Sequence, residues 1–215
     1  MATDSSFWNT DLMRPPQPKE HWTVEEYLEF EMTSPVRHEY ADGQIYAMAD
    51  ESKNHNRIVG CLCSILGRHL AGSHCEAFTE NVKLKVRPTL FYYPDVVVTC
   101  EPVADVEDED DYVIDDPVLV VEVLSKSTAR TDRTEKLREY QYLPNLREYV
   151  IISQYRVQVE VYRHQNAGEE WSKQVYSDLQ SQVRFDSIGV SVSLADIYRR
   201  VRFSENILEI EREER

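Results

Sequence analysis

Two acidic side chains fall within segments of the chain that are otherwise almost entirely apolar. Asp95 follows Pro94 at the start of one valine-rich run, and Glu122 lies inside another, from Val118 to Leu124. An ionised carboxylate among buried valines is costly unless a cation compensates it. Facing side chains on adjacent strands lie within about 5 Å of each other. If the two runs are neighbouring strands, Asp95 and Glu122 could therefore bind one divalent ion.

A cation that could meet Glu122 follows on the next predicted helix. Lys136 lies in the first turn or two of that helix, and helical side chains lean toward the N-terminus of their helix. Its ammonium could orient or help deprotonate a water molecule, while a hard ion such as Mg²⁺, or else Mn²⁺, would offset phosphate charge. The three residues together fit phosphodiester hydrolysis. Taken singly, Asp95 could cap a turn and Lys136 could be solvated. Glu122 could also pair with Lys85 instead of Lys136.

The first half of the chain contains patterns for the elements that must position these residues. They predict a helix opened by a capping box, a hairpin around an Asp-Gly turn, and a long helix buried along one face. These elements cover about 24–32, 37–40 with 44–48, and the segment from Asn54 onward.

The second half is predicted to be mostly strands, so the chain as a whole has a mixed α/β pattern. The valine-rich runs at 91–100 and 118–124 are typical of strands in the middle of a sheet covered on both faces. A second capping box, from Asp132 to Glu135, predicts the start of the helix that carries Lys136. The other predicted elements are strands at 76–87, 149–153, 157–161 and 171–176 and a helix at 194–200 capped by Ser193.

The composition predicts one globular domain with polar ends. The 215-residue chain is 41% hydrophobic and 29% charged, and no Gly-, Ser- or Pro-rich linker divides its interior. We expect a flexible segment at 1–21, one folded domain at 22–203 and an acidic tail at 204–215. With no signal-peptide pattern or membrane-length apolar run, a cytoplasmic location is expected. The four cysteines, which lack CxxC spacing, are expected to be buried, reduced thiols. They are Cys61, Cys63, Cys75 and Cys100.

The net charge of −15 argues at first against a nucleic-acid partner, because phosphate binding relies on Lys and Arg. Residues 101–116 hold nine of the acids and no basic residue, which leaves a net charge of only −6 for the rest of the chain. We expect this segment to be a solvated loop. It could instead mimic nucleic acid at the site or bind a partner.

The motifs around the candidate site resemble those of a known family. They are similar to the Uma family of predicted restriction endonucleases, a branch of the PD-(D/E)XK nuclease superfamily. The similarity runs from about Trp22 to Arg200. The motifs that carry it are His38-Glu39-Tyr40, Asp42-Gly43, His55, Tyr93-Pro94-Asp95, Glu122-Val123-Leu124-Ser125, Thr128, Asp132, Lys136 and Tyr140.

The resemblance implies a restriction-endonuclease-like core, with a central mixed β-sheet flanked by helices, that hydrolyses DNA with the help of a metal ion. It implies that Asp95 and Glu122 bind the ion, with Glu39 as a third acid. By the same analogy, and because twofold assemblies are common, a homodimer is expected.

One position departs from the superfamily pattern. The superfamily lysine stands two residues after the glutamate, where this chain has Leu124. The family form places the lysine on the following helix, which matches Lys136. Lys126 is a rival for the same role.

Other side chains near these motifs are weaker candidates. His55 shares the inward face of the long helix, which favours a core histidine over a metal or phosphate contact. Ser125, with Thr128, could cap the following helix or steady the site. Three basic residues could contact a phosphate backbone, although a solvated charged face is the default. They are Lys126, Arg130 and Arg133.

The acidity of the chain leaves a second function open. A nuclease fold that has lost catalysis and serves binding or assembly would also explain the −15 charge. A carboxylate pair acting on a sugar is disfavoured, since nothing in that chemistry explains Lys136.

Overall fold

The computed structural model describes residues 19–79, 81–100, 113–164 and 170–203. Residues 1–18 of the segment predicted at 1–21, the tail predicted at 204–215 and most of the acidic segment at 101–116 lie outside these ranges. In chain order the elements are α1 Val24–Thr33, β1 His38–Ala41, β2 Gln44–Ala47, α2 Lys53–Leu70, β3 Glu76–Thr79, β4 Lys83–Arg87, β5 Leu90–Tyr92, β6 Val96–Thr99, β7 Val113–Ile114, β8 Pro117–Leu124, α3 Ala129–Thr131, a π-helical turn Asp132–Lys136, α4 Leu137–Tyr140, β9 Glu148–Ser153, β10 Val159–Arg163, β11 Ser172–Tyr176, β12 Gln182–Phe185, β13 Val190–Ser193 and α5 Leu194–Ile197.

The chain divides into two compact units. The first takes in the described residues up to Met48 together with Arg87–Phe91, and the second takes in Ala49–Val86 and the described residues from Tyr92 onward. The prediction that 22–203 form one nuclease domain stays a prediction.

The first unit packs α1 against the β1–β2 hairpin. The predicted capping box at Thr23 is present, and it fixes the start of α1. The ring of Tyr27 is buried, stacks on Tyr40 at 4.9 Å between ring centres, and its hydroxyl donates to the carbonyl of His38. β1 also pairs with β5 through Tyr40 and Phe91. An aromatic cluster therefore holds the helix on the hairpin.

The second unit is built on a six-stranded sheet in the order β11-β10-β9-β8-β6-β3. The β8–β9 pair is parallel, whereas the other pairs in this sheet are antiparallel. A helix connects β8 to β9, as a parallel connection requires. The predicted central mixed sheet is confirmed, with β8 and β9 in the middle of it.

The two faces of this sheet pack against different helices. Leu119, Val121 and Val123 of β8 belong to one apolar core with Ile58 and Leu62 of α2. Because strand side chains alternate between faces, Glu122 lies on the opposite face, where the π-helical turn covers the sheet. Both faces of β8 are thus buried, and Glu122 points toward the π-helical turn that carries Lys136.

Several sequence-based boundaries are confirmed, and others are wrong. α1, the hairpin, α2, β8, β9 and the β10–β11 pair match the predictions closely. α5 begins at its predicted Ser193 cap but ends at Ile197, three residues earlier than predicted. The expected strand at 76–87 is two strands, β3 and β4. The expected strand at 91–100 is interrupted by Tyr93-Pro94-Asp95, because proline cannot donate a ladder hydrogen bond. The β12–β13 hairpin and the short β7 were not predicted.

The prediction of four reduced thiols is wrong for two of them. Cys75 and Cys100 form a disulfide, while Cys61 and Cys63 are not disulfide-bonded. The register that pairs Glu76 with Thr99 places the two disulfide cysteines opposite each other at the strand ends. Sequence spacing did not indicate this pairing, because it depends on two strands meeting across 25 residues.

No helix in the described ranges has both the length and the apolar character that crossing a bilayer requires.

Two glycines are expected to respond in opposite ways to an added methyl group. Gly67 is exposed on α2, and a Cβ there would meet nothing within 4 Å. Gly67→Ala should therefore raise the free energy of unfolding by about 0.5–1 kcal/mol. Gly43 has φ +93°, and a Cβ would overlap the ring of His21, so Gly43→Ala should lower that free energy by about 1 kcal/mol or more. Urea unfolding of both variants tests this. A destabilised Gly67→Ala variant would contradict the helical environment described for that position.

Candidate active site

The two acids singled out by sequence lie on adjacent antiparallel strands. β6 pairs with β8 in a register that joins Val96 to Val121. Asp95, one residue before β6, therefore lies across from Glu122. Asp95 and Glu122 are 8% and 4% exposed, respectively. The two strands are therefore neighbours, as a shared ion site would require, and the shared ion stays a prediction.

Asp95 is fixed by two hydrogen bonds to the same oxygen. Its Oδ2 accepts from the backbone N–H of Val123 at 2.6 Å and lies 3.1 Å from Nε2 of His55. His55 is buried in the first turn of α2, next to the Ser52 cap. The sequence left open whether His55 is a core histidine or a site contact. In the structure it is both, because it is buried and also contacts the site acid Asp95.

Glu122 is held from the opposite helix. Its Oε1 accepts from Nζ of Lys136 at 3.0 Å and from the hydroxyl of Tyr140 at 2.9 Å. Lys136 is itself 4% exposed, and its ammonium lies 5.1 Å from the ring centre of Tyr92. The cation that the buried glutamate requires is therefore Lys136 and not Lys85.

The helix that carries Lys136 begins earlier than predicted. Asp132 was expected to cap it, but the helical backbone starts at Ala129, whose N–H donates to the carbonyl of Ser125. Asp132 instead lies inside the π-helical turn, 1% exposed, with Oδ1 3.6 Å from Nζ of Lys136. The capping-box pattern was a coincidence of residue types, and Asp132 is a buried acid of the site. π-helical turns occur often at functional sites.

A tyrosine closes the inner side of this cluster. The hydroxyl of Tyr149, on β9, donates to the carbonyl of Asp132 at 3.0 Å. Burial raises the pKa of Tyr149 well above its usual value, and the nearby charges of Asp132 and Glu122 raise it further. The phenol therefore remains a neutral donor over the ordinary pH range.

Glu51 is an acid of the site that sequence reasoning missed. Its Oε2 lies 3.8 Å from Nε2 of His55. Burial raises the pKa of Glu51, and the charges of Asp95 and Asp132 add to this while His55 opposes it. Its four-residue spacing from His55 on the approach to α2 was the available signal. Glu39 lies on β1 in the first unit, opposite Tyr46, so its role as the third acid stays a prediction.

The remaining candidates differ in exposure. Ser125 is buried, with Oγ 3.0 Å from Oγ of Ser127 and 3.1 Å from Oγ1 of Thr128. Ser125 therefore orders the turn that leads into α3, whereas Thr128 makes no side-chain cap. Lys126 and Arg130 are exposed. Their predicted contacts with a phosphate backbone stay predictions.

Arg133 forms an ion pair with the buried carboxylate of Glu160. Its Nη2 and Nε lie 3.0 and 3.2 Å from Oε1 of Glu160 on β10. Glu160 is 2% exposed and also pairs with Lys173 and with the hydroxyl of Tyr162. The structure thus favours a structural ion pair for Arg133 over the predicted phosphate contact.

The architecture is shared with a solved structure. A crystal structure described as "a putative nuclease belonging to DUF820" from Anabaena variabilis ATCC 29413 is similar, with a TM-score of 0.67 and 18% identity. The match covers 84% of this chain and 99% of that one. At this identity the similarity shows the fold, and the class is that of mixed α/β nuclease-fold proteins.

The sequence places the chain within a family of that class. Residues 24–195 match the Uma2 model, described as "Putative restriction endonuclease", and the chain belongs to this family. The protein slr1290 of Synechocystis sp. is 38% identical over 190 residues, which are 88% of this chain and 97% of that protein. The protein sll1609 of the same organism is 32% identical over 142 residues, 66% of this chain and 80% of that protein. The resemblance and the fold predicted from sequence are confirmed.

The Glu160 cluster gives the chain a predictable response to acid. Burial alone would raise the pKa of Glu160, but the bonds and charges of Lys173, Arg133 and Tyr162 outweigh it and lower the pKa to about 2. A carboxyl whose folded pKa lies below its unfolded value of 4.5 stabilises the fold above that value and loses this contribution as pH falls toward 2. Glu160→Gln should therefore lower the free energy of unfolding at about pH 7 and lower it less at about pH 3.

Urea unfolding of wild type and Glu160→Gln at both pH values measures this difference. Glu29→Gln, at an exposed position of α1, is the matched control. A destabilisation by Glu160→Gln that is equal at both pH values would contradict the ion-pair account.

Proposed function

We propose that this protein is a metal-dependent endonuclease that hydrolyses DNA phosphodiester bonds at the site of Asp95, Glu122 and Lys136. The observation that carries the proposal is a buried ammonium held 3.0 Å from one of two carboxylates on paired strands. Membership of a family described as "Putative restriction endonuclease" supports the choice of reaction. Buried charges of this kind are expensive, so their convergence favours a functional site over a chance arrangement.

The donor set fits a hard divalent cation. Asp95 and Glu122 offer carboxylate oxygens, the ligands that Mg²⁺ prefers, and Mn²⁺ accepts the same ligands. The two hydrogen bonds described for Asp95, from His55 and from the Val123 N–H, both reach Oδ2. Oδ1 is therefore the oxygen suited to an ion. Asp95 and Glu122 would hold the ion, which when bound would offset the charge that develops on the phosphate.

The protein side chains position these ligands and supply charge. His55 and the Val123 N–H orient Asp95, while Tyr140 and Lys136 orient Glu122. The ammonium of Lys136 can also orient an attacking water or a phosphate oxygen, because it carries three donors on one nitrogen. Removing Lys136 would therefore disturb both the ligand geometry and the reacting atoms.

The other acids strengthen the field of the site for a cation. The charges of Asp95 and Asp132 both add to the burial that raises the pKa of Glu51. Acids that crowd together in this way are relieved by a divalent ion, which is a stronger counter-charge than one ammonium. We include Glu51 in the proposed ion site and retain Glu39 as the acid implied by the family resemblance.

DNA would approach from the side of the exposed Lys126 and Arg130, and cutting both strands would require two sites. We therefore also propose a homodimer, in which a twofold axis would relate the two sites. A binding or assembly role without catalysis is the alternative that the experiments below must exclude.

Catalysis should depend on the metal and on the three central residues. Purified protein is incubated with supercoiled plasmid and with single-stranded DNA, in Mg²⁺, in Mn²⁺ and in EDTA. We expect cleavage only with metal, and a loss of about 100-fold or more in Asp95→Asn, Glu122→Gln and Lys136→Met, because each removes a ligand or the ammonium. Lys85→Ala is the matched control and should keep the wild-type rate.

The outcome that ends the proposal is equally specific. If no DNA is cut under any of these conditions, and calorimetry finds no Mg²⁺ binding that depends on Asp95 and Glu122, the proposal of a metal-dependent nuclease is wrong. Salt-dependent DNA binding without cleavage would then favour the binding module.

Glu51 should contribute to ion binding. Glu51→Gln removes a carboxylate beside His55 and Asp95 while keeping the shape of the side chain. We expect about tenfold weaker Mn²⁺ binding by calorimetry, because a divalent ion loses a nearby negative charge. An unchanged affinity would remove Glu51 from the site. Glu39→Gln, measured alongside, tests the acid implied by the resemblance in the same way.

A further inference from the structure

A second group of metal-ligating side chains lies apart from the candidate active site. In the described part of the chain, His74, Cys75 and Cys100 bring three ligand atoms within 4.8 Å of one another. Cys75 and Cys100 are joined as a disulfide at the ends of β3 and β6. Nothing in the proposed nuclease chemistry uses these residues.

The position of the cluster separates it from the acids. Asp95 precedes β6, whereas Cys100 follows its last residue, Thr99. Five residues of strand at about 3.4 Å each span about 17 Å. The cluster therefore lies at the opposite end of β6 and could not share an ion with Asp95.

The disulfide is open to solution chemistry. Both cysteines are half-buried and His74 is exposed. The three residues line a cleft together with His69 and Asp116. A small dithiol can reach a disulfide in such a position, since exchange requires access of a thiolate to one sulfur.

We propose that reduction of the Cys75–Cys100 disulfide creates a binding site for a soft divalent metal ion, with Zn²⁺ as the reference ion, formed by Cys75, Cys100 and His74. The reductant is a dithiol: its two thiols become a disulfide, and the two cysteines gain the two electrons and two protons. Each cysteine thiol releases its proton to solvent when it ligates the ion.

The ligand geometry suits this ion. Zinc binds thiolate sulfur at about 2.3 Å in a tetrahedral arrangement, so two ligating sulfurs lie about 3.8 Å apart. The three ligand atoms already fall within 4.8 Å of one another, so binding requires only that the two sulfurs separate modestly. A fourth position would be filled by water or by Asp116, which lines the same cleft.

The choice of ligands also separates this site from the acidic one. Thiolate and imidazole favour zinc-like ions, whereas paired carboxylates favour Mg²⁺ or Mn²⁺. In either redox state β3 stays linked to β6, through a covalent bond or through a bound ion. Zinc binding by His74, Cys75 and Cys100 would not require nuclease activity.

Metal binding by the full chain in two redox states tests the proposal. One sample is kept oxidised, and the other is reduced with a dithiol and freed of it under anaerobic conditions. Thiol titration of the unfolded protein should count two more thiols in the reduced sample. Co²⁺ then reports sulfur ligation through its thiolate charge-transfer band, and competition with a chromophoric chelator gives the Zn²⁺ affinity.

We expect one Zn²⁺ per chain in the reduced protein, at least about tenfold weaker binding in the oxidised protein, and a thiolate band with Co²⁺ only after reduction. Cys75→Ser should abolish the band. His74→Ala, which leaves the disulfide intact and so guards against misfolding, should weaken Zn²⁺ binding by about tenfold or more. Cys63→Ser, which replaces a cysteine that is outside the cluster and not disulfide-bonded, is the matched control.

Two results would overturn the proposal. One is a reduced protein whose Zn²⁺ affinity equals that of the oxidised protein, which would leave only a structural disulfide. The other is a Co²⁺ spectrum without a thiolate band, or one that His74→Ala and Cys75→Ser do not change, since the ion would then be held elsewhere.

Discussion

Glu122 lies in the middle of β8, flanked by strands on both sides, and it is 4% exposed. A carboxylate in that position can remain ionised only if a cation is buried with it. Lys136 meets this requirement and is equally buried, so neither charge tolerates the loss of the other. Breaking such a pair costs about 3–5 kcal/mol. The pair therefore fixes the position of the helix on the sheet as firmly as apolar packing does.

The helix adapts to this constraint along its whole length. The π-helical turn places Asp132 and Lys136 on the same side, and Tyr140 follows one turn later with its hydroxyl on Glu122. The rings of Tyr92 and Tyr149 pack against Tyr140 at 5.7 and 4.9 Å between ring centres. This aromatic wall lowers the local dielectric constant on one side of the ion pair, which strengthens the charge interactions there. The apolar packing and the ion pair thus depend on each other.

Much of this arrangement could be predicted from sequence because it is written in local patterns. Valine-rich β8 and the periodic apolar face of α2 identify the sheet centre and its covering helix. The start of the helix at Ala129 could not be predicted, because Asp132 and Glu135 match a capping box as well as they match helix interior. The Cys75–Cys100 pairing depends on two strands that meet across 25 residues, which local spacing does not encode. Glu51 has a local signal in its four-residue spacing from His55, but its electrostatic coupling to Asp95 and Asp132 arises only in the folded chain.

The excess of acid in the site has a consequence for a polyanionic substrate. Lys136 is a single positive charge beside several acids, so the carboxyl groups of Asp95, Glu122 and Asp132 would repel a phosphate. A divalent ion reverses the sign of the local field, so on the proposed function the ion must bind before or together with DNA. Ion binding and DNA binding are then coupled, and by linkage each strengthens the other. On this proposal a protein with a net charge of −15 would bind nucleic acid locally, because the ion would supply the positive charge that the chain as a whole lacks.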